Sequence, residues 1–221
     1  MVTSPRRLAR GVLVALEGID GAGKSTQARR LATLFAEQGY AVQLLREPSD
    51  SPWGRRLRES LQAGRRLLSP AQELDLFIQD RRYHVAAQIR PALAACQLVL
   101  TDRYYFSSIA YQGALEIDPE AIRLQNEAFA PVPDAVFVLL ISPERALARI
   151  RASRRGGSDP FEQEAYLTRV DAMFRALQGP RVYPIMADGP VETVTATMQR
   201  TIEPLLGPSV SVLTNPTLTP L

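Results

Sequence analysis

Two kinds of apolar pattern alternate along the chain. Val12–Leu16, Leu98–Thr101 and Ala135–Ile141 are short, nearly continuous apolar runs, the pattern of strands covered on both faces of a parallel sheet. Ala41–Arg46, closed by Glu47-Pro48, and Val182–Ala187 complete a set of five expected strands. Between them the period lengthens. Ser25–Gln38 carries Ala28, Leu31, Leu34 and Phe35 at helical spacing, with Gly39 as the stop. Ser69-Pro70-Ala71-Gln72 reads as a capping box with proline at the first helical position, opening a long helix toward Leu93. Further helices are expected over Phe106–Gln112, from Asp118-Pro119 through Phe129, from Ser142-Pro143 to Arg151, from Asp159-Pro160-Phe161-Glu162 onward, and over Val191–Leu206. No element is assigned between Pro48 and Ser69. Alternation of this kind implies an α/β sandwich around a five-stranded parallel sheet. Residues 208–221 are rich in Ser, Thr and Pro and carry no period, so a disordered tail is expected after a single domain of residues 1–207.

Composition narrows the function classes. With 46% hydrophobic and 22% charged residues in 221, the chain can fill one core and is not a disordered polymer. Cys96 is the only cysteine, which excludes an internal disulfide and a cysteine zinc site; His84 is the only histidine, which argues against a Ser-His-Asp triad. A reduced, cytoplasmic setting is expected. No apolar run reaches the roughly 18 residues of a membrane span. Arg6, Arg7 and Arg10 before Val12–Leu16 imitate a signal peptide, but the run is too short and meets Glu17. The net charge of +3 is spread among interleaved acids and bases, so no nucleic-acid footprint is expected. Within that charge lies an asymmetry: of 26 basic residues only Lys24 is lysine.

Lys24 stands in Gly18-Ile19-Asp20-Gly21-Ala22-Gly23-Lys24-Ser25, followed by Thr26, which satisfies G-x-x-x-x-G-K-[ST]. The glycines let backbone N–H groups turn inward around phosphate oxygens. The lysine supplies a compact charge for the β- and γ-phosphates, and the hydroxyl of Ser25 suits Mg²⁺. A strand precedes the motif and a helix follows, so the phosphates of ATP would meet a helix N-terminus. Asp102, ending the third strand, is the matching carboxylate, placed to hold Mg²⁺ with Ser25.

The order E-G-I-D-G-A-G-K-S-T (Glu17–Thr26), R-E-P (Arg46–Pro48), F-x-x-D-R (Phe77–Arg81) and D-R-Y-x-x-S-S-x-A-Y-Q-G (Asp102–Gly113) resembles the thymidylate kinases, from Gly11 to about Leu206. The resemblance implies a P-loop nucleoside-monophosphate-kinase-like three-layer sandwich that transfers phosphate from ATP to dTMP in dTTP biosynthesis. It also implies a homodimer. Phe77 and Arg81 lie i,i+4 on one helix face; by the resemblance Phe77 stacks on thymine and Arg81 reads its O4 edge, whereas plain core packing is the alternative for Phe77. Arg46 and Arg103 are the implied clamps on the acceptor phosphate, Asp20 lies near the sugar, and Ser108, Tyr111 and Gln112 line the nucleoside pocket. Tyr111 would fill the space of a ribose 2′-hydroxyl.

Arg151-Ala152-Ser153-Arg154-Arg155-Gly156-Gly157 is similar to the family's lid. Gly21 and Ala22 leave no arginine in the phosphate loop, so Arg151, Arg154 and Arg155 are the candidates for neutralising transition-state charge, Arg155 first. A solvated basic loop is the alternative. Two departures stand out: Pro160 replaces the usual arginine of D-R-x-E, and Ser49-Asp50 replaces a glycine pair after R-E-P. A kinase for another nucleotide or nucleoside, or a nucleotide-binding regulator without transfer activity, are the rival readings.

Overall fold

The computed structural model describes residues 6, 8–62, 68–153 and 160–207, without the side chains of residues 62, 153 and 160–163. The expected five strands are present as β1 (Val12–Glu17), β2 (Val42–Arg46), β3 (Leu98–Asp102), β4 (Ala135–Leu140) and β5 (Val182–Met186), all parallel, in the order β2-β3-β1-β4-β5. Every residue of β1, β3 and β4 is buried, so the sheet is covered on both faces, as their unbroken apolar runs require. The edge strands β2 and β5 expose alternate side chains, Leu44 and Met186 among them. Register aligns Leu16 of β1 and Arg46 of β2 with Asp102 of β3, bringing three motif-bearing strand ends to one rim. The chain passes from β1 to one edge and later returns to its other side, so β1 ends at the switch point where ligands bind in open α/β sheets.

Helix α1 (Lys24–Glu37) packs on β1, β2 and β3 and on α9 (Val191–Leu206). An unassigned stretch of the sequence holds helix α2 (Pro52–Gln62), which packs on α3 (Pro70–His84). The capping box of α3 forms as expected: Ser69 Oγ accepts from Gln72 N–H at 3.3 Å, and Gln72 Oε1 accepts from Ser69 N–H at 2.9 Å. The long helix expected toward Leu93 runs on to Ala94 as three consecutive segments. A π-helical segment at Val85–Ile89 separates α3 from α4 (Arg90–Ala94), with Arg90 N–H donating to Val85 O. Pro91 is the cause, since it has no N–H and its ring collides with the carbonyl four residues back; an extra residue in the turn removes the conflict.

The remaining helices are α5 (Tyr105–Gly113), α6 (Pro119–Glu127) capped by Asp118, α7 (Pro143–Ser153) and α8 (Pro160–Ala176). Helix α8 begins at the expected proline, but the expected Asp159 cap, Arg154, Arg155 and the 208–221 tail lie outside the described residues.

Candidate active site

Where β1 ends, the backbone makes a turn that only glycine tolerates at three points: Gly18, Gly21 and Gly23 have φ of +131°, +82° and +97°. A Cβ at Gly18 would stand 2.5 Å from Leu139 O, and one at Gly21 2.5 Å from Ala146 O. Gly23 is the N-cap of α1 and offers no side chain to its first amides, which leaves them for an anion. Lys24 is buried, and its Nζ donates to the carbonyls of Gly18 and Ile19, each at 2.8 Å. Burial and the nearby Arg103 guanidinium depress its pKa from 10.5 to about 8. Ser25 Oγ is hydrogen-bonded to Asp102 Oδ2, and Thr26 is exposed beside it.

Opposite the loop stands Arg103, a non-glycine residue at φ +76°. Its Nη2 meets Asp20 Oδ1 at 2.7 Å, and its Nη1 donates to Ser107 Oγ at 2.9 Å. Tyr111 Oη accepts from Asp20 N–H at 3.1 Å and lies 3.4 Å from Arg103 Nη2. Behind them Glu17, wholly buried, accepts from Tyr104 N–H at 2.7 Å and Ser107 Oγ at 2.6 Å. Burial pushes the Glu17 carboxyl up to about 7. The loop, Arg46, Asp102 and Arg103 share one cleft of about 560 Å³.

A second cluster adjoins the first along α5. Arg81 is 1% exposed and spends its donors inside the protein. Nε and Nη2 reach Glu47 Oε2 at 2.8 and 2.7 Å, Nη1 reaches Asn126 Oδ1 at 2.7 Å, and both Nη atoms reach Ser108 Oγ at 3.3 Å. Phe77, one turn earlier on α3, is half-buried. Gln112 donates to Glu73 Oε1 at 2.8 Å, while its buried Oε1 has no partner among the described residues.

Several participants were not singled out in the sequence. Glu17 and Glu47 are carboxylates closing apolar strands, a signal that could have been used. Asn126 had none, because its partner Arg81 is 45 residues away. Arg149 of α7 lines the cleft and donates to Gly21 O and Ala187 O, each at 3.3 Å; Arg151, two residues on, is exposed. The Ser49-Asp50 departure also has a physical reason. Asp80, the acid of F-x-x-D-R, accepts from Ser49 N–H at 2.8 Å, Ser49 Oγ at 2.5 Å and Ser51 Oγ at 2.6 Å. Serine hydroxyls thus anchor the segment after R-E-P.

The paired oxygens of Ser25 and Asp102 fit Mg²⁺, a hard cation. Among the described residues no three His, Cys, Asp or Glu side chains form a metal cage.

Comparison with known proteins draws these features together. The thymidylate kinase family model matches residues 16–198. A thymidylate kinase of Xanthomonas campestris pv. campestris (strain B100) is 47% identical over 184 residues, covering 83% of this chain and 79% of the relative. One from Akkermansia muciniphila is 46% identical over 193 residues, 87% of this chain and 92% of the relative. A probable thymidylate kinase of Archaeoglobus fulgidus is 43% identical over 195 residues, 88% and 96% respectively. Matched from the end of β1 into α9, and 43–47% identical to these relatives over most of its length, the chain belongs to the thymidylate kinase family.

Proposed function

We propose that this chain transfers the γ-phosphoryl group of ATP to dTMP, giving dTDP and ADP. The observation that carries the reading is the shared cleft. Lys24 and the uncapped start of α1 face it from the donor side, Arg103 and Arg46 from the acceptor side. Phosphoryl transfer needs little covalent chemistry from the protein, so positioning and charge neutralisation suffice.

Each residue then has a task. Lys24 is held by two loop carbonyls, and trades them for β- and γ-phosphate oxygens. Ser25 and Asp102 would hold Mg²⁺, which would supply positive charge against the phosphates. Arg103, braced by Asp20 and Ser107, orients the acceptor phosphate together with Arg46. Phe77 stacks on the base. Arg81 reaches a base carbonyl by giving up its two long bonds to Ser108, keeping Glu47 and Asn126 as anchors. Gln112 offers its unpartnered oxygen to the same pocket, and Tyr111, tied to Asp20, fills the space beside the sugar. Arg149 and the lid arginines Arg151, Arg154 and Arg155 cover the transferring group.

Homodimerisation through α2 and α3 is part of this reading. Trp53, Leu61 and Tyr83 there are 38%, 55% and 45% exposed, with the Trp53 and Tyr83 rings 6.3 Å apart. No helix among the described residues is long and apolar enough to cross a membrane.

The test is product analysis with ATP and Mg²⁺. ADP and dTDP should appear in equal amounts when dTMP is supplied, and Arg103→Ala should raise the KM for dTMP far more than that for ATP. ADP release at the same rate without any acceptor would mean a nucleotide-binding ATPase instead.

A further inference from the structure

Glu17 has no task in the transfer as set out above, yet it is a wholly buried carboxylate at the rim. It lies 0% exposed at the last position of β1, one residue before the phosphate loop. Its Oε1 accepts from the N–H of Tyr104, the peptide directly after Arg103. Its Oε2 accepts from Ser107 Oγ, which in turn accepts from Arg103 Nη1. Arg103 N–H itself donates to Leu16 O at 3.0 Å, next to Glu17 in the chain. One carboxylate therefore holds both ends of the same arginine, the backbone on one oxygen and the guanidinium, through Ser107, on the other.

The backbone half matters because Arg103 sits at φ +76°, a conformation that costs an L-residue of order 1–3 kcal/mol and persists only when its surroundings over-determine it. The side-chain half matters because an arginine with free rotamers meets an acceptor phosphate in many orientations, few of them in line with the donor. We infer that Glu17 is a positioning residue for the acceptor: it fixes the left-handed turn at Arg103 and, through Ser107, the direction of the guanidinium relative to the phosphate loop. The same chain segment that cradles the donor thereby sets the clamp on the acceptor. Lys24 Nζ, on the donor side, is hydrogen-bonded to carbonyls of the loop and not to this carboxylate.

This inference rests on Arg103 acting as the acceptor clamp, and the experiment separates the two. Steady-state kinetics are measured for Arg103→Ala, Ser107→Ala, Glu17→Gln and the double variant Arg103→Ala/Ser107→Ala. ATP affinity is read separately, with a fluorescent ATP analogue and no acceptor. Ser107→Ala cuts the link without disturbing the buried strand end, so it remains informative if Glu17→Gln folds poorly. Both single link variants are expected to lower kcat/KM for dTMP by about tenfold or more, the worth of a hydrogen bond to a charged group. ATP-analogue affinity should stay within about twofold. In the double variant, loss of Ser107 should add little to loss of Arg103, because the two act as a unit. Restoring the hydroxyl with Ser107→Thr should recover most of the activity. If Arg103→Ala leaves dTMP kinetics untouched, the clamp reading fails. If Arg103→Ala has its effect but Ser107→Ala and a folded Glu17→Gln do not, the positioning role is wrong. Equal losses of donor and acceptor binding would overturn it too, leaving Glu17 a merely structural group.

Discussion

Asp80 offers the sharpest test of how the acceptor side is built. Replacing it with alanine removes a carboxylate that is 1% exposed and accepts from Ser49 N–H, Ser49 Oγ and Ser51 Oγ at 2.5–2.8 Å. Each hydrogen bond to a charged group is worth about 1.5–3 kcal/mol, but three bonds to one carboxylate are not additive. The hydroxyl oxygens keep the bonds they accept, Ser49 Oγ from Ser51 N–H and Ser51 Oγ from Gly54 N–H, while their own protons lose their acceptor. A net loss of roughly 3–5 kcal/mol follows, the range for breaking a buried charged network. For a domain of this size that is a fall in Tm of about 6–20 °C. Asp80→Asn keeps one acceptor oxygen for the hydroxyls but turns an NH₂ toward a donor, so it should fall between wild type and alanine. Thermal and urea unfolding by circular dichroism give the stabilities, and the same preparations give KM for dTMP. Since Ser49 follows Arg46 by three residues, the acceptor KM should rise in the same order while the ATP KM moves little. An Asp80→Ala protein melting within about 2 °C of wild type would refute the reasoning, since even one lost charged bond exceeds that.

Three further outcomes are expected. Lys24→Arg should lower kcat by roughly 10²-fold or more, because a planar fork cannot occupy a cradle in which one ammonium meets two carbonyls at 2.8 Å; stopped-time dTDP assays check it. The Glu17 carboxyl is raised from 4.5 to about 7, so between those values the folded state holds a proton that the unfolded chain has released. Stability should therefore fall as pH rises from about 4.5 to 7, with a slope of roughly 1 kcal/mol per pH unit that Glu17→Gln abolishes in urea titrations. Tyr111→Phe loses the acceptor for Asp20 N–H, worth about 1 kcal/mol or some fivefold in kcat/KM for dTMP, yet should keep discrimination against UMP because the ring remains; Tyr111→Ala should lose both.

Much of the frame was legible because the information is local. The five strands and the phosphate loop follow from apolar runs and glycine spacing, and the Ser69–Gln72 capping box forms bond for bond. Helix α2 escaped because among its described side chains only Gly54 and Leu57 are buried; an arginine-rich helix with so few inward positions shows little period. Its place is set by packing on α3, where Gly54 comes so close that a Cβ would lie 2.1 Å from Ser49 O. Pro91 was visible, but whether a proline ends a helix, kinks it or is absorbed in a π turn depends on what surrounds it. In the site, residue types with fixed spacing were readable: Lys24 with Ser25, Phe77 with Arg81. What joins them was not, since Glu17–Ser107, Arg81–Asn126 and Ser49–Asp80 are contacts made only after the sheet has formed.

The central claim concerns the acceptor, and a single measurement addresses it: kcat/KM with ATP and Mg²⁺ across dTMP, dUMP, UMP, CMP, dGMP and AMP. On the roles proposed for Phe77, Arg81 and Tyr111, dTMP should be the best acceptor and UMP a poor one. A kcat/KM for UMP or AMP that equals or exceeds the value for dTMP would contradict the account.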